Sequence, residues 1–413
     1  MESFCDHHEG RPIDRESQRT DCHRGRAIAR GPKARTNRAP ASRGSDPVRE
    51  YLRQKAGLRR RGLVDGIRLV RFQNSISRRC RAALLALGLG ALVVGVRAES
   101  PRVSPNEVLS GLRKFYAKTS RSDGSFLPGI DPDYRGVSDS VYSDLAPVTY
   151  AVTIHKSFGW KLPREKQTIQ LLLSRQRENG GFFNVAGTVD PNSAEGRVYN
   201  TTQGIVALRS LGLRPRYNPL PVFEEILQQD YKTLPAYSTS FFPLAYLAWG
   251  QSIPREADRR IRATMVQAAD GYLNEHIAAT FHAVHYYRLI GEPVPMAAQI
   301  LERTLRDQKA DGSWLLNMPS RDRHATFDAV FTLRQLCHGR EACRQAIEKA
   351  VHWALTCRNP DGGFGHFPGS SSDADANYFQ VGVLVMGGFL KPRTPLPQDA
   401  RLLSWGHLMP LPE

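Results

Sequence analysis

Cysteine is scarce in this chain: six in 413 residues, and Cys5, Cys22 and Cys80 all precede residue 98. None of the six has zinc-finger spacing, which excludes a cysteine-built zinc module. Long apolar runs are also missing. The run from Ala82 to Val96 has 15 residues, whereas an ordinary membrane-spanning helix needs about 20. Acidic residues are thin at the front: residues 1–98 carry 22 Lys+Arg against 9 Asp+Glu, a net of +13. The other 315 residues carry 35 basic and 31 acidic groups, a net of +4. The whole-chain charge of +17 therefore belongs mostly to the front segment, and the high pI does not argue for nucleic-acid binding by the rest.

The front segment divides in two. Residues 1–77 form a basic extension, rich in Arg, Pro, Gly and Ser over the first 60 or so, and such a composition predicts disorder. Residues 78–98 follow the order of a secretory signal: Arg78-Arg79-Cys80-Arg81, the short apolar run, then Val96-Arg97-Ala98. A buried helix or a membrane anchor is the competing reading. Cys80 precedes the apolar run, so it is not placed as a lipoprotein cysteine. A signal this far inside the chain is odd. One reading is that translation starts downstream and that residues 1 to about 65 are rarely or never made. The chain is expected to be exported, to a periplasm or beyond the cell, with no stable transmembrane segment after processing.

Beyond residue 104 the chain repeats itself. Gln308-Lys-Ala-Asp-Gly312-Ser-Trp314 and Gln176-Arg-Glu-Asn-Gly180-Gly-Phe182 share the frame Gln-x-x-x-Gly-x-aromatic. Ser120 to Phe126 and Arg358 to Phe364 keep the glycine and the aromatic, and Gln267 to Leu273 keeps the glutamine and the glycine. A sixth unit near Gln229-Asp230-Tyr231 has lost the glycine. The spacing of roughly 40 to 55 residues is what two helices and their loops occupy. Apolar runs closed by Gly212, Gly250 and Gly291 mark helix ends. The predicted second helix of each pair runs near Ser140–Phe158, Tyr199–Leu211, Ala236–Trp249, Ile277–Ile290, Ala325–Leu336 and Tyr378–Phe389. Residues 392–413, with five prolines, read as a tail.

These frames resemble the repeats of the prenyltransferase and squalene-cyclase superfamily, including the motif known there as QW, and the resemblance covers about residues 104–391. It implies an all-α fold: an α/α toroid of about six helical pairs, with inner helices around a central cavity. It also implies an apolar, isoprenoid-like ligand. Aromatics on the predicted inner helices suit such a cavity, and Tyr199, Trp249, Tyr286, Phe327 and Tyr378 are candidates for binding it. Packing of helix against helix is the alternative role for most of them.

Two polar groups precede predicted inner helices. In the β subunits of protein prenyltransferases, an Asp-x-Cys pair and a later His bind zinc, and basic residues hold a diphosphate. Carried over, Asp322 matches the Asp, His324 stands where the Cys is, and Arg321 and Arg323 match the clamp. The second group, Asp373-Ala-Asp375-Ala-Asn377-Tyr378, has Asn377 in place of the cysteine, a poor zinc ligand, and no seventh unit supplies a closing histidine. A composite zinc site of Asp322, His324 and Asp375 remains. The same stretch resembles the Asp-x-Asp-Asp of class II terpene cyclases with the last Asp missing, which makes Asp373 and Asp375 the catalytic candidates. Helix capping by Asp375 or Asn377 fits the sequence equally well. His282 and His285, three apart on one helix with His276 near its start, are a weaker metal candidate. Cys337 and Cys343 either close a small disulfide loop or, with Cys357, remain thiols. Three function classes are left: an isoprenoid enzyme, a toroid that binds without catalysis, and a polysaccharide-acting enzyme on the same scaffold.

The leader generates the first prediction. N-terminal sequencing of the protein purified from its native host should begin at Glu99. Recovery of peptides from residues 1–60 would overturn both the cleavage and the downstream start.

Overall fold

The computed structural model describes residues 103–131, 134, 138–229, 231–273, 276–316 and 324–393. The basic extension, the leader, the proline-rich tail, and Arg321, Asp322 and Arg323 all lie outside the described residues. No helix among the described residues is long and apolar enough to cross a membrane.

Thirteen α-helices are present among the described residues. Six form an inner ring: α3 (Ala146–Ser157), α5 (Ala194–Ser210), α7 (Phe241–Ala248), α9 (Ile277–Ile290), α11 (Ala325–Leu336) and α13 (Ala374–Met386). Six more lie outside them: α1 (Pro105–Thr119), α4 (Glu165–Ser174), α6 (Leu220–Gln229), α8 (Arg255–Arg262), α10 (Ala297–Arg306) and α12 (Glu341–Thr356). A one-turn helix, α2 (Asp139–Tyr142), precedes α3. Each inner helix packs on the next, and α13 packs on α3, so the toroid is closed. Burial separates the two sets. The inner helices are buried nearly all round, whereas the outer ones bury a single stripe, such as Ile300, Leu301 and Thr304 of α10.

The repeated frames are the joints between units. Gln176 Nε2 donates to Gly180 O (3.0 Å) and to Tyr217 O at the start of the next unit (2.8 Å). Gln267 does the same with Gly271 O and Pro295 O, and Gln308 with Gly312 O and Ala346 O. One amide thus donates to carbonyls on both sides of a joint and ties the two units together. The glycines of all five frames have φ between 86° and 95°. Each lies against the backbone of the following outer unit. At the last joint, a Cβ on Gly362 would stand 2.3 Å from the carbonyl oxygen of Gly111 in α1. That contact closes the outer ring.

Some element boundaries differ from the expected ones. The first inner segment breaks at Ser143 into α2 and α3, because the Ser143 side chain turns inward to donate to Asn200 Oδ1 (2.6 Å). In the third unit, 3-10 turns at Tyr231–Thr233 and Ala236–Ser238 stand in for the missing glycine turn, and α7 starts only at Phe241. The last inner helix starts four residues earlier than expected, since its cap is Asp373 and neither Asp375 nor Asn377. Cys337 and Cys343 are joined by a disulfide, and Cys357 is a buried thiol whose pKa burial pushes up to about 12.

The joints predict a contrast between two glycines. Gly212 has a φ of 75° with open space around its would-be Cβ, whereas Gly362 combines φ of 95° with the clash on Gly111. Gly212→Ala should cost about 1 kcal/mol, the left-handed penalty alone. Gly362→Ala should cost about 3 kcal/mol or more. Urea denaturation of both variants checks this, and equal losses would mean that the last joint yields freely.

Candidate functional site

The N-terminal ends of the inner helices surround a cavity of about 280 Å³. Its aromatic walls come from Tyr142, Tyr199, Tyr237, Phe241, Phe281 and Phe379. Its polar lining is Asp139, Glu195, His282, His324 and Asp328. No Lys or Arg lines it among the described residues. Two of the carboxylates are held by phenols. Asp139 Oδ2 accepts from Tyr150 Oη (3.2 Å) and Tyr199 Oη (3.1 Å), and Glu195 Oε1 accepts from Tyr237 Oη (2.9 Å). Burial and these neighbouring carboxylates hold Tyr150 and Tyr199 well above the usual phenol range, so both stay protonated donors. His282 Nδ1 pairs with Ser240 Oγ at 2.8 Å, and burial pushes its pKa well down.

Against one wall lies a second, fully buried layer. Asp373 caps α13: its Oδ1 accepts from the backbone N–H of Asp375 (2.7 Å) and of Ala376 (3.4 Å). It also accepts from Ser140 Oγ (3.0 Å) and Ser138 Oγ (2.9 Å), both carried by the α2 segment. Burial and the adjacent Asp375 raise the Asp373 pKa, against hydrogen bonds from Tyr134, Ser138 and Ser140 that lower it. Asp375 points to a different set of partners. Its Oδ2 accepts from the backbone N–H of Asp139 (3.3 Å), pairs with His324 Nε2 at 2.9 Å and lies 3.5 Å from His366 Nε2. The His324 ring stacks on Phe379 with centroids 3.8 Å apart, which fixes its plane. His324 both lines the cavity and touches Asp375. It is therefore the bridge between the buried carboxyls and the space a ligand would fill.

The structure sorts the candidate residues. Asp373, Asp375 and His324 come together; Arg321, Asp322 and Arg323 lie outside the described residues. Of the five aromatic candidates only Tyr199 lines the cavity. Tyr286 turns outward to donate to Asp258 of α8, and Tyr378 packs against Tyr150 with the rings tilted by 30°. Phe327 sits behind the wall, between Phe281 and Phe379, and Trp249 caps the far end of α7. Their helical phase places them there: inner helices are buried on every side, so an aromatic there is as readily packing as lining. His285 is one turn deeper than His282 and makes no pair with it.

His366 was missed. A closing histidine was sought in a seventh unit, but it comes from the last unit's own loop, two residues after Phe364. The signal was its place between the turn glycine and Asp373.

His324, His366 and Asp375 each offer a ligand atom within 4.8 Å of the others. Two imidazoles and one carboxylate are a known zinc donor set, and tetrahedral bonds of about 2.1 Å place ligand atoms roughly 3.4 Å apart. The observed 2.9 and 3.5 Å bracket that value. The donor set therefore suits a metal ion; Asp322, the third ligand expected from the sequence, lies outside the described residues. Held there, zinc would act as a Lewis acid beside the cavity. Titrating metal-free protein with Zn²⁺ should reveal one site, weakened about 100-fold or more in His366→Ala and in His324→Ala. Equal binding by the parent and both variants would remove the cluster as a metal site.

Residues 163–408 match the prenyltransferase alpha-alpha toroid domain family. Among solved structures, ent-copalyl diphosphate synthase from Streptomyces platensis is 15% identical, with a TM-score of 0.42 over 59% of this chain and 50% of that one. The chain thus spans half the length of that enzyme. The type II terpene cyclase MstE from Scytonema is 14% identical, with a TM-score of 0.42 over 64% of this chain and 82% of that chain. Protein geranylgeranyltransferase-I from Candida albicans, solved with GGPP, is 11% identical, with a TM-score of 0.42 over 60% of this chain and 85% of that one. No curated protein matches.

Proposed function

The chain belongs to the prenyltransferase alpha-alpha toroid domain family, and from that premise we propose that it binds an uncharged isoprenoid-like chain in the central cavity and starts its cyclisation by protonation. The carrying observation is the His324–Asp375 hydrogen bond, which joins a fully buried carboxyl layer to the cavity wall. A general acid needs burial or a neighbouring charge to keep a proton at working pH. The paired carboxyls of Asp373 and Asp375 have both.

Prenyl transfer is less well supported. Loss of a diphosphate calls for cations to receive its charge; the described lining is carboxylate, imidazole and aromatic, and the candidate clamp, Arg321 and Arg323, lies outside the described residues. Protonation has no such need. The proton passes from the Asp375–His324 pair to one alkene carbon, leaving a carbocation on its neighbour. Tyr199, Phe241 and Phe281 line the space in which that cation would form, and aromatic rings attract cations. A second double bond closes the ring onto the cation. A proton then leaves the product cation for a wall carboxylate, Asp139 or Glu195, so the charge balances.

The metal reading is the one alternative that a specific observation favours, namely the convergence of His324, His366 and Asp375. The two compete for the same Asp375 oxygen. Export is part of the proposal too, supported by the leader and by the Cys337–Cys343 disulfide, which suits an oxidising compartment.

Incubation of chelator-treated protein with farnesol or geranylgeraniol in deuterated water tests the proposal. A cyclic isomer carrying one deuterium is expected by mass spectrometry, slowed about 100-fold or more in Asp375→Asn and inhibited by stoichiometric zinc. Activity lost on chelation and restored by zinc would transfer the site to the metal reading. Binding of the alcohols with no product would leave a toroid that binds without catalysis.

A further inference from the structure

Three of the inner helices carry buried polar groups that nothing among the described residues satisfies. Gln203, His285 and Thr332 are all fully buried. Neither Gln203 Nε2 nor Oε1 has a hydrogen-bond partner, and the same holds for both ring nitrogens of His285 and for Thr332 Oγ1. Such groups are rare in folded proteins and call for a specific reason. Leucine, phenylalanine and valine would fill much the same volumes without the desolvation cost.

Their positions supply the reason. On α5, Glu195 and Tyr199 line the cavity, and Gln203 follows at the next step of four. On α11, His324 and Asp328 line it, and Thr332 follows at the next step of four. On α9, Phe281 and His282 line it, and His285 is four and three residues further on. Steps of three and four keep a side chain on one helix face. Each of three inner helices therefore carries one unpartnered polar group about one turn beyond its cavity-lining residues. His285 is flanked there by the rings of Phe281 and Phe331.

We infer that the ligand of the cavity carries an uncharged hydrogen-bonding group, a hydroxyl or a carbonyl, at its inner end, and that Gln203, His285 and Thr332 receive it. The inference rests on the reading that an apolar chain occupies the cavity, and it adds which class of chain. The set offers both donors and acceptors: the Gln203 amide has both, a neutral imidazole one of each, and the Thr332 hydroxyl either. Burial pushes the His285 pKa down to about 3, so the ring is neutral in use. A diphosphate or carboxylate would find no counter-charge on these three side chains, whereas a hydroxyl would find partners.

Farnesol and farnesene, which share a chain and differ in the hydroxyl, separate the possibilities by calorimetric titration of the full-length protein. The parent should bind farnesol at least about tenfold more tightly than farnesene. In Gln203→Leu, His285→Phe and Thr332→Val that preference should fall below about threefold, while farnesene binding holds or improves. The variants should melt at or above the parent temperature, because each removes an unsatisfied buried group. Thr332→Val, the nearest in shape, decides the matter should the larger changes unfold the chain. Equal affinities in the parent, or a preference that survives in every variant that folds, would overturn the inference and make the layer a structural one filled by water. Failure of farnesene itself to bind would instead bring down the cavity reading, and the inference with it.

Discussion

Ring closure is the constraint on which the rest depends. A chain of helical pairs has two open ends, each with an apolar face to hide and helix termini to satisfy. Here the ends cover each other. Gly362 of the last turn lies on Gly111 of the first helix, with too little room for any side chain. Inside, Asp373 caps the last inner helix and at the same time accepts from Ser138 and Ser140 of the first unit. A single carboxylate thus ends one helix and fastens it to a segment 235 residues away.

The candidate site grows out of that junction. Burying Asp373 to make the closure brings Asp375, two residues on, into the same dry layer, and a second buried carboxyl beside the first makes ionising both costly. His324 of the preceding unit and His366 of the same unit's loop then approach Asp375. Structure and chemistry are not rivals at these residues. The capping role explains why Asp373 is there, and the leftover proton or ligand capacity of Asp375 is what the cavity can use. The same geometry admits a proton donor and a metal ligand set because both want buried carboxylate and imidazole groups within about 3.5 Å.

The joints were legible in the sequence because they are local. Gln308 and Gly312 pair across a single turn, and Trp314 reaches back only to Thr304 of the preceding helix, so spacing in the chain is nearly spacing in space. The site was only half legible. Asp375 and His324 stood out by residue type, but their meeting spans 51 positions and depends on how two units dock. His366 looked like one more loop histidine. The aromatic candidates suffered from a different problem. On a helix buried all round, periodicity no longer tells the cavity side from the packing side, and Tyr286 and Tyr378 were read onto the wrong one.

By itself the sequence determined the helical-pair repeat, the all-α class, the positions of the turns and the separation of a basic front from a near-neutral repeat region. These follow from backbone preferences and short-range periodicity, which act within a few residues. Tertiary structure alone decided that the ring closes, which aromatics face the cavity, that His366 joins Asp375, and that Gln203, His285 and Thr332 are buried without hydrogen-bond partners. Each of these depends on the rotation of one helix relative to another, set by the packing of the whole ring and written in no single stretch of the chain.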